Sequence, residues 1–359
     1  MKYLLSLLLF ITPLIAEELT LEVPKCSHPI LISLPSNFNP AKKHPTIFYY
    51  HGKDEAPSTK YMRKQAGDKD WIIVGMSYIK SGNYKSSDET YAVEKAAFEY
   101  VRNIMIEEHA TNPSRLFVSG FSKGAFHAEL LLLSNPSING GIILDPGHRY
   151  FVPKSLSKYR YQKPIHIAVG QNDKNFLFAL KSYLTHRRLG ADVTLEEWPN
   201  HGRSLPKSRS ESLSQWFKLR NTPAAKIKTL ANEKIATAIK KADYLEFPIQ
   251  WARLIEIQQM PYYSRADAEI QKALNAQLAF TKQDPVVIRE AGLYSKRRFL
   301  LYQENTSTSI LSLQKIAFQY KLLANSSPRS HQGKLIKNDA ERLRELLLTV
   351  HQSKKPSSE

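Results

Sequence analysis

A serine between two glycines is the first feature of this chain that could do chemistry. The segment at 120–124 reads GFSKG; it follows an apolar, β-rich run at 116–118 and precedes good helix formers at 125–133. This pattern predicts a strand, a tight turn and a helix. At the apex of such a turn a serine hydroxyl stands clear of both elements, and the glycines leave room where a Cβ would collide. Ser122 is therefore a candidate nucleophile for attack on a carbonyl group.

A serine hydroxyl is a weak nucleophile near neutral pH, so the sequence must also supply a base and an acid. An imidazole takes the proton of the hydroxyl, and a carboxylate fixes the tautomer of that imidazole. Asp173 in GQND and His201 in PNHG each follow a strand-like run, and with Ser122 they give the chain order nucleophile, acid, base. These residues are the candidate catalytic triad.

Alternatives remain open for the acid and for the base. Asp145 follows the preceding strand-like run and is an alternative acid, in which case Asp173 would cap the helix that starts at 175. His148 and His51 compete with His201. We favour His201 because it alone follows the last predicted strand and comes after the acid.

The elements that must position these residues alternate between strand and helix. Strands are predicted at 19–23, 30–34, 46–50, 71–76, 116–118, 141–145, 165–169 and 193–198, helices at 88–109, 125–133, 175–188 and 211–219, and a turn at 112–113. This alternation predicts an α/β fold with a mostly parallel sheet and helices on both faces. Because the loops after parallel strands meet at one edge of the sheet, the candidate residues should lie there.

From about residue 30 to 219 the chain resembles the serine esterases of the α/β-hydrolase superfamily. The group includes dienelactone-hydrolase-like enzymes, phospholipase/carboxylesterases and the polyhydroxybutyrate-depolymerase or feruloyl-esterase type. The resemblance rests on His51-Gly52 after the third strand, the segment RLFVSGFSKG at 115–124, Asp173 in G-x-x-D and the loop of His201.

Membership of this group implies a role for each matching residue. Ser122 would be the nucleophile, Asp173 the acid and His201 the base, while the backbone N–H groups of Lys123 and Lys53 would form the oxyanion hole. The sequence departs from the group at Ala125, where relatives often have a second glycine, and at the charged Lys123 itself. Neither departure removes a catalytic group, but both leave the subfamily open.

The two ends of the chain differ from its centre in composition. Residues 1–16 have the plan of a secretory signal peptide, with an uncleaved anchor as the alternative, and 17–220 would form the hydrolase domain. Residues 221–351 show helical spacing near 223–242, 251–259, 265–280, 310–324 and 340–350, which predicts an α-helical domain or appendage. The Ser/Lys/Pro-rich segment 352–359 is predicted to be a disordered tail.

The chain of 359 residues has a formal net charge of +18, but its basic residues are scattered. No basic arm or nucleic-acid motif accompanies them, so we expect no nucleic-acid partner. A solvated basic surface and an affinity for an anionic envelope polymer both remain open. Lys53, Lys123, Lys80 and Lys85 could favour an anionic substrate or could be scattered surface charges.

The sequence contains no signature of a cofactor. Cys26 is the single cysteine, which excludes an intramolecular disulfide and a cysteine metal site. No phosphate-binding glycine loop, dinucleotide motif or metal-ligand spacing is present, so we expect neither a cofactor nor a metal.

The sequence thus predicts an exported serine hydrolase that cleaves a small-molecule or polymeric ester. No membrane span is expected after signal cleavage, and the oligomeric state is open. A peptidase on the same fold and a non-catalytic protein that binds an anionic polymer are the alternatives.

Overall fold

Eight strands form one mixed sheet at the centre of the molecule. The computed structural model describes residues 18–79, 88–146, 162–170, 173, 175–198, 201–307 and 309–352. The strands are β1 (Glu18–Leu21), β2 (Ile30–Ser33), β3 (His44–Tyr50), β4 (Ile72–Met76), β5 (Thr111–Phe121), β6 (Gly140–Leu144), β7 (Pro164–Gly170) and β8 (Asp192–Trp198). Their spatial order is β1-β2-β4-β3-β5-β6-β7-β8.

The pairs β1–β2 and β2–β4 are antiparallel, whereas every neighbouring pair from β4 to β8 is parallel. Every residue of β3, β4 and β6 is buried, as expected for strands covered on both faces by helices. The predicted α/β class with a mostly parallel sheet is confirmed.

Helices cover both faces of this sheet. The first part of the chain contains α1 (Lys60–Ala66), α2 (Asp88–Glu108), α3 (Lys123–Ser134), α4 (Phe176–Arg188) and α5 (Glu211–Asn221). On one face the core joins strand residues to Phe98 of α2, Leu131 of α3 and Leu180 of α4. On the other face the core includes Met62 of α1 and Trp216 of α5.

Two local predictions were wrong or incomplete. The predicted turn at 112–113 is part of β5. The hydrogen-bond ladder between β3 and β5 shifts register between His44 and Thr46. Pro113 lies within this irregular part of the ladder, where the N–H that proline lacks is not needed. The short helix α1 was missed because only Met62 and Gln65 of its seven residues are buried, which leaves almost no apolar pattern.

The last third of the chain is helical, as predicted. It forms α6 (Ala224–Ala242), α7 (Phe247–Gln259), α8 (Ala268–Thr281), α9 (Pro285–Thr306), α10 (Ile310–Ser326) and α11 (His331–Gln352), with a 3₁₀ turn at Tyr263–Arg265. We did not predict α9. Its buried face carries Glu290, Arg297 and Glu304 beside apolar residues, and these charges interrupt the hydrophobic periodicity.

The C-terminal helices pack against the β8 edge of the sheet. Leu300 and Leu301 of α9 belong to the same apolar core as the strands. Arg297 and Arg298 lie 3.6 and 3.0 Å from carboxylate oxygens of Glu197 in β8.

The predicted signal segment 1–16 and residues 353–359 of the predicted tail lie outside the described residues. Among the helices that are described, none has both the length and the apolarity to cross a bilayer.

Candidate active site

Ser122 lies at a sharp turn between β5 and α3. Its φ of 55° and ψ of −111° place it in a region that residues with a side chain rarely adopt. Its N–H donates to the carbonyl oxygen of Leu144 in the neighbouring strand, over 2.9 Å, which helps to hold the turn. A Cβ on Gly120 would lie 2.0 Å from the carbonyl oxygen of Gly124, so the first glycine is required for the strand to meet the helix. This geometry is that of a nucleophile elbow.

Lys123 begins α3 directly after the serine. The first N–H groups of a helix have no acceptor within the helix and carry a partial positive charge, which suits an oxyanion. The ammonium group of Lys123 lies 4.2 Å from the centre of the Tyr78 ring, and burial lowers the pKa of this lysine. The hydroxyl of Tyr78 in turn donates to the carbonyl oxygen of His51, over 2.7 Å.

The loop after β3 lies against the elbow. A Cβ on Gly124 would stand 2.1 Å from the carbonyl oxygen of Tyr50 and 2.7 Å from that of His51. The next residues, Gly52 and the exposed Lys53, therefore lie near the start of α3. The structure places the two predicted oxyanion donors on neighbouring elements, Lys123 at the start of α3 and Lys53 in the loop after β3.

Two groups of this loop are already hydrogen-bonded. The N–H of Gly52 donates to a carboxylate oxygen of Glu55, over 2.9 Å. The Nδ1 atom of His51 lies 2.8 Å from the carbonyl oxygen of Gly52, and its ring packs edge-on against Tyr78. Burial lowers the pKa of His51, so its imidazole is held neutral within the loop.

The loops of Asp173 and His201 meet at the end of β7. The N–H of Asp173 donates to the carbonyl oxygen of Gly170, over 3.0 Å, and a Cβ on Gly170 would lie 2.4 Å from the carbonyl oxygen of His201. The Oδ1 atom of the buried Asp173 accepts from the N–H of Asn175, over 2.6 Å. Asn175 occupies the N-cap position of α4, so this contact holds the carboxylate of Asp173 against the start of that helix.

Asp145 follows β6 and lies beside Asp173. Its φ is 41°, and its Oδ1 atom accepts from the N–H of Gly170 over 2.9 Å. Among the described residues, its buried Oδ2 atom has no hydrogen-bond partner. Burial, and secondarily the charge of Asp173, raise the pKa of Asp145 to about 8. At neutral pH the folded protein therefore holds the Asp145 carboxyl group mainly in its protonated form.

The loop of His201 reaches Ser122 through Arg203. The Nη2 atom of Arg203 donates a hydrogen bond to the Oγ atom of Ser122. The buried Nε2 atom of His201 has no partner within the described part of the chain, so the hydrogen bond from Ser122 to His201 is not formed in this conformation. The ring of His201 packs edge-on against Trp198 at the end of β8.

Arg203 is the residue that sequence reasoning missed. Its only signal is its position two residues after His201 in the same loop. His148, the alternative base, and Lys80 and Lys85, which could favour an anionic substrate, lie outside the described residues. Within the described ranges, no group of three or more His, Cys, Asp or Glu side chains could hold a metal ion.

The strand order and the serine elbow after the fifth strand define the α/β-hydrolase fold, as the resemblance implied. No protein-family model matches the sequence, and no curated protein matches it.

Similar solved structures include two esterases and one peptidase. A ferulic acid esterase from Anaeromyces mucronatus is 16% identical with a TM-score of 0.43, and the match covers 58% of this chain and 88% of that one. Thermogutta terrifontis esterase 2 is 15% identical with a TM-score of 0.44, and the match covers 57% and 91%. The acylaminoacyl peptidase of Pyrococcus horikoshii is 13% identical with a TM-score of 0.42, and the match covers 54% of this chain and 38% of that one. This chain therefore spans well under half of that protein.

Proposed function

We propose that the protein is a serine hydrolase that cleaves carboxylic esters through an acyl-Ser122 intermediate. The observation that carries the proposal is the elbow: Ser122 is held at a φ of 55° at the N-terminus of α3. Such a conformation costs on the order of 1–3 kcal/mol, and strain of this kind is typically retained at functional sites. The adjoining loops supply a buried carboxylate, a histidine and backbone donors.

The reaction would proceed in two halves. The Oγ atom of Ser122 attacks the ester carbonyl while the Nε2 atom of His201 takes its proton; the proton then passes to the departing alcohol as the C–O bond breaks. In the second half His201 takes a proton from water, the hydroxide attacks the acyl carbon, and the proton returns to Ser122 as the acid leaves. Asp173 would hold the imidazole and balance its transient charge.

The N–H groups of Lys123 and Lys53 would bind the negative oxygen of each tetrahedral intermediate. Donors of this kind each lower the barrier by about 3 to 4 kcal/mol. The helix N-terminus at Lys123 supports this role, because its dipole favours negative charge. The Lys53 side chain is not needed for the donation and is turned toward Asp54, with 3.7 Å between the charged groups.

The experiment is labelling with a fluorophosphonate probe, which reacts with an activated serine. We expect the full-length protein to be labelled and Ser122→Ala to lose the label. The control is Ser295→Ala, which should keep the label, because Ser295 lies on a helix surface and its hydroxyl donates to the carbonyl oxygen of Ala291. Folded wild-type protein that takes no label would instead support the non-catalytic polymer-binding alternative.

A second measurement distinguishes esterase activity from peptidase activity. Short- and long-chain esters are compared with aminoacyl amides, using Ser122→Ala as the blank. Turnover of the amides with no turnover of the esters would reverse the choice between esterase and peptidase.

Export is part of the same proposal and rests on the sequence of residues 1–16 alone. The intact mass of the protein recovered outside the cytoplasm of a bacterial host tests it. A species that begins at Glu17 is expected, whereas full-length protein retained in the membrane fraction would indicate an uncleaved anchor.

A further inference from the structure

The helical last third of the chain exposes large apolar side chains in an ordered pattern. On α10, Leu311, Phe318 and Leu322 are 62%, 61% and 54% exposed. At about 3.6 residues per turn, these three positions fall within about 20° of one line along the helix. We call them the α10 stripe. Single exposed apolar residues are ordinary on a protein surface, whereas an aligned set forms a continuous patch of the kind that marks an interaction site.

The α10 stripe lies opposite the face by which α10 packs on the protein. The buried residues of this helix are Ile316, Tyr320 and Ala324, and the line through them is about 180° from the stripe. The hydroxyl of Tyr320 also donates to Glu304 of α9 over 3.1 Å, which helps to fix the rotation of α10 about its axis. The helix therefore cannot turn the stripe inward without exposing its own core residues.

The exposed charges around the stripe are of one sign. Between residues 285 and 330 the sequence has only two acidic residues, Glu290 and Glu304, and both are buried. Glu290 accepts from the N–H of Gln332 over 2.9 Å, and Glu304 accepts from Arg342. This segment therefore offers no exposed carboxylate. Its exposed charged side chains are all basic, and they are Arg289, Lys296, Lys315, Lys321 and Arg329.

Two of these basic residues, Lys315 and Lys321, flank the stripe on α10 itself. They lie about 40° to one side of its line and about 80° to the other. A lysine at such a position can lay its methylene groups along an apolar surface and extend its ammonium group to a polar boundary. Apolar residues along the centre of a helix face, with lysines on its flanks, are typical of helices that lie in the interface of an anionic membrane.

We infer that α10 is a membrane-docking helix: the α10 stripe enters the headgroup region of an anionic lipid bilayer, and Lys315 and Lys321 bind lipid phosphate groups. Charge complementarity selects this occupant, because anionic lipids supply the negative charge that the exposed surface of the segment lacks. A second copy of the chain is disfavoured, since a two-fold contact through the stripe would bring the lysines of both copies together. The binding is peripheral, and it is independent of the chemistry at Ser122.

The test is sedimentation of the full-length protein with sucrose-loaded vesicles. One set of vesicles consists of phosphatidylcholine, and the other is an equal mixture of phosphatidylcholine and phosphatidylglycerol. Leu311→Gln/Phe318→Gln is the stripe variant, and Lys315→Gln/Lys321→Gln is the lysine variant. Glutamine is a good helix former, so both variants should keep α10 intact. Every protein retains residues 1–16, so that any binding by this segment is common to all of them.

The matched control is Val93→Gln/Tyr100→Gln in α2. These two residues are 45% and 49% exposed, and their separation along the helix equals that of Leu311 and Phe318. The control therefore removes a similar pair of exposed apolar side chains from the other part of the molecule. Urea unfolding followed by circular dichroism shows that each variant is folded.

We expect the wild type and the control to bind the mixed vesicles about tenfold or more tightly than phosphatidylcholine vesicles. The stripe variant should bind the mixed vesicles about tenfold or more weakly than the wild type. The lysine variant should lose about tenfold to thirtyfold in affinity. Added salt should weaken binding of the wild type more than binding of the lysine variant. Ser122→Ala should bind like the wild type.

A second measurement reports on the stripe alone. Phe318→Trp places an indole within the stripe, and its emission should move to shorter wavelength on mixed vesicles, relative to the wild-type protein under the same conditions. The absence of this additional shift would overturn the inference even if the protein sediments with the vesicles, because another segment would then be responsible.

The remaining outcomes are equally decisive. Equal binding by the wild type and the stripe variant overturns the inference, even where the lysine variant binds weakly, because that pattern reflects general attraction to polyanions. Equal binding to both kinds of vesicle overturns the choice of an anionic surface. A dimeric wild type with a monomeric stripe variant, measured by light scattering, would assign the stripe to a contact between copies instead. None of these results affects fluorophosphonate labelling of Ser122, so the proposed function is tested separately.

Discussion

The backbone of Gly124 touches the backbone of Tyr50: a Cβ on the glycine would stand 2.1 Å from the carbonyl oxygen of the tyrosine. This contact lets α3 approach the end of β3, and it brings the start of the helix beside the loop of His51 and Lys53. The proposed oxyanion hole depends on that approach, because its two donors come from these two elements.

Substitution Gly124→Ala should therefore destabilise the protein and abolish labelling of Ser122. The added methyl group meets rigid backbone, so α3 or β3 must shift, and overpacking of this kind costs about 1–3 kcal/mol or more. Urea unfolding followed by circular dichroism measures the loss, and the fluorophosphonate probe reports on the site.

Gly292→Ala is the matched control for this change. Gly292 lies within α9, and a Cβ there meets nothing within 4 Å. Replacement of an exposed helix glycine by alanine should stabilise the protein by about 0.5–1 kcal/mol. If both alanine variants unfold at the same urea concentration, close packing at Gly124 is not what holds α3 in place.

The two neighbouring carboxyl groups should differ sharply in their effect on catalysis. Asp173→Asn is expected to lower kcat by about 10⁴, because an amide neither fixes the proper imidazole tautomer nor balances its charge. Asp145→Asn should leave kcat within about tenfold of the wild type, since an uncharged amide resembles the protonated acid that the raised pKa indicates. Steady-state kinetics on a hydrolysed ester compares them, and the reverse ranking would make Asp145 the catalytic acid.

Asp145 should also make stability depend on pH. Its pKa lies near 8 in the folded protein against an ordinary value of 3.8. Between these values the folded state keeps a proton that the unfolded state releases, so the free energy of unfolding falls as pH rises from about 4 to about 8. The contribution of this group is at most about 1.4 kcal/mol per pH unit.

Urea unfolding at about pH 5 and about pH 8 checks the sign. The wild type should lose more stability than Asp145→Asn between the two conditions, because the amide has no proton to release. An unchanged difference between the two proteins would mean that Asp145 ionises normally in the fold.

The sequence predicted the sheet well because parallel strands that are buried on both faces are continuous runs of apolar residues. The run at 71–76 contains all of β4, and 165–169 lies within β7. The elbow was equally visible, since the glycines at 120 and 124 have a steric cause that the structure bears out. The role of each candidate triad residue stays a prediction.

Other features could not be predicted because they arise from contacts between distant segments. The hydrogen bond of Arg203 with Ser122 joins residues 81 positions apart, and nothing in the local sequence marks it. The raised pKa of Asp145 depends on burial and on Asp173, which only the folded chain brings together. The helix α9 was missed for a related reason: its buried charges are paired by groups on α11 and on β8.

The clearest such pairing links α9 and α11 through Glu304 and Arg342. Two nitrogens of the guanidinium lie 2.7 and 2.8 Å from the two carboxylate oxygens, and both side chains are almost fully buried. The hydroxyl of Tyr320 in α10 donates to the same carboxylate, over 3.1 Å. Removal of one partner leaves an uncompensated buried charge, so Arg342→Met should lower the free energy of unfolding by about 3–5 kcal/mol.

The double variant Glu304→Leu/Arg342→Met tests this explanation, because removal of both charges should restore most of the lost stability. Lys337→Met is the surface control: Lys337 faces Glu341 across 3.8 Å with both side chains exposed, and an exposed pair contributes at most about 1 kcal/mol. Urea denaturation of the four proteins gives the comparison. A double variant no more stable than Arg342→Met would show that the loss comes from packing of the long arginine side chain instead of from the unpaired carboxylate.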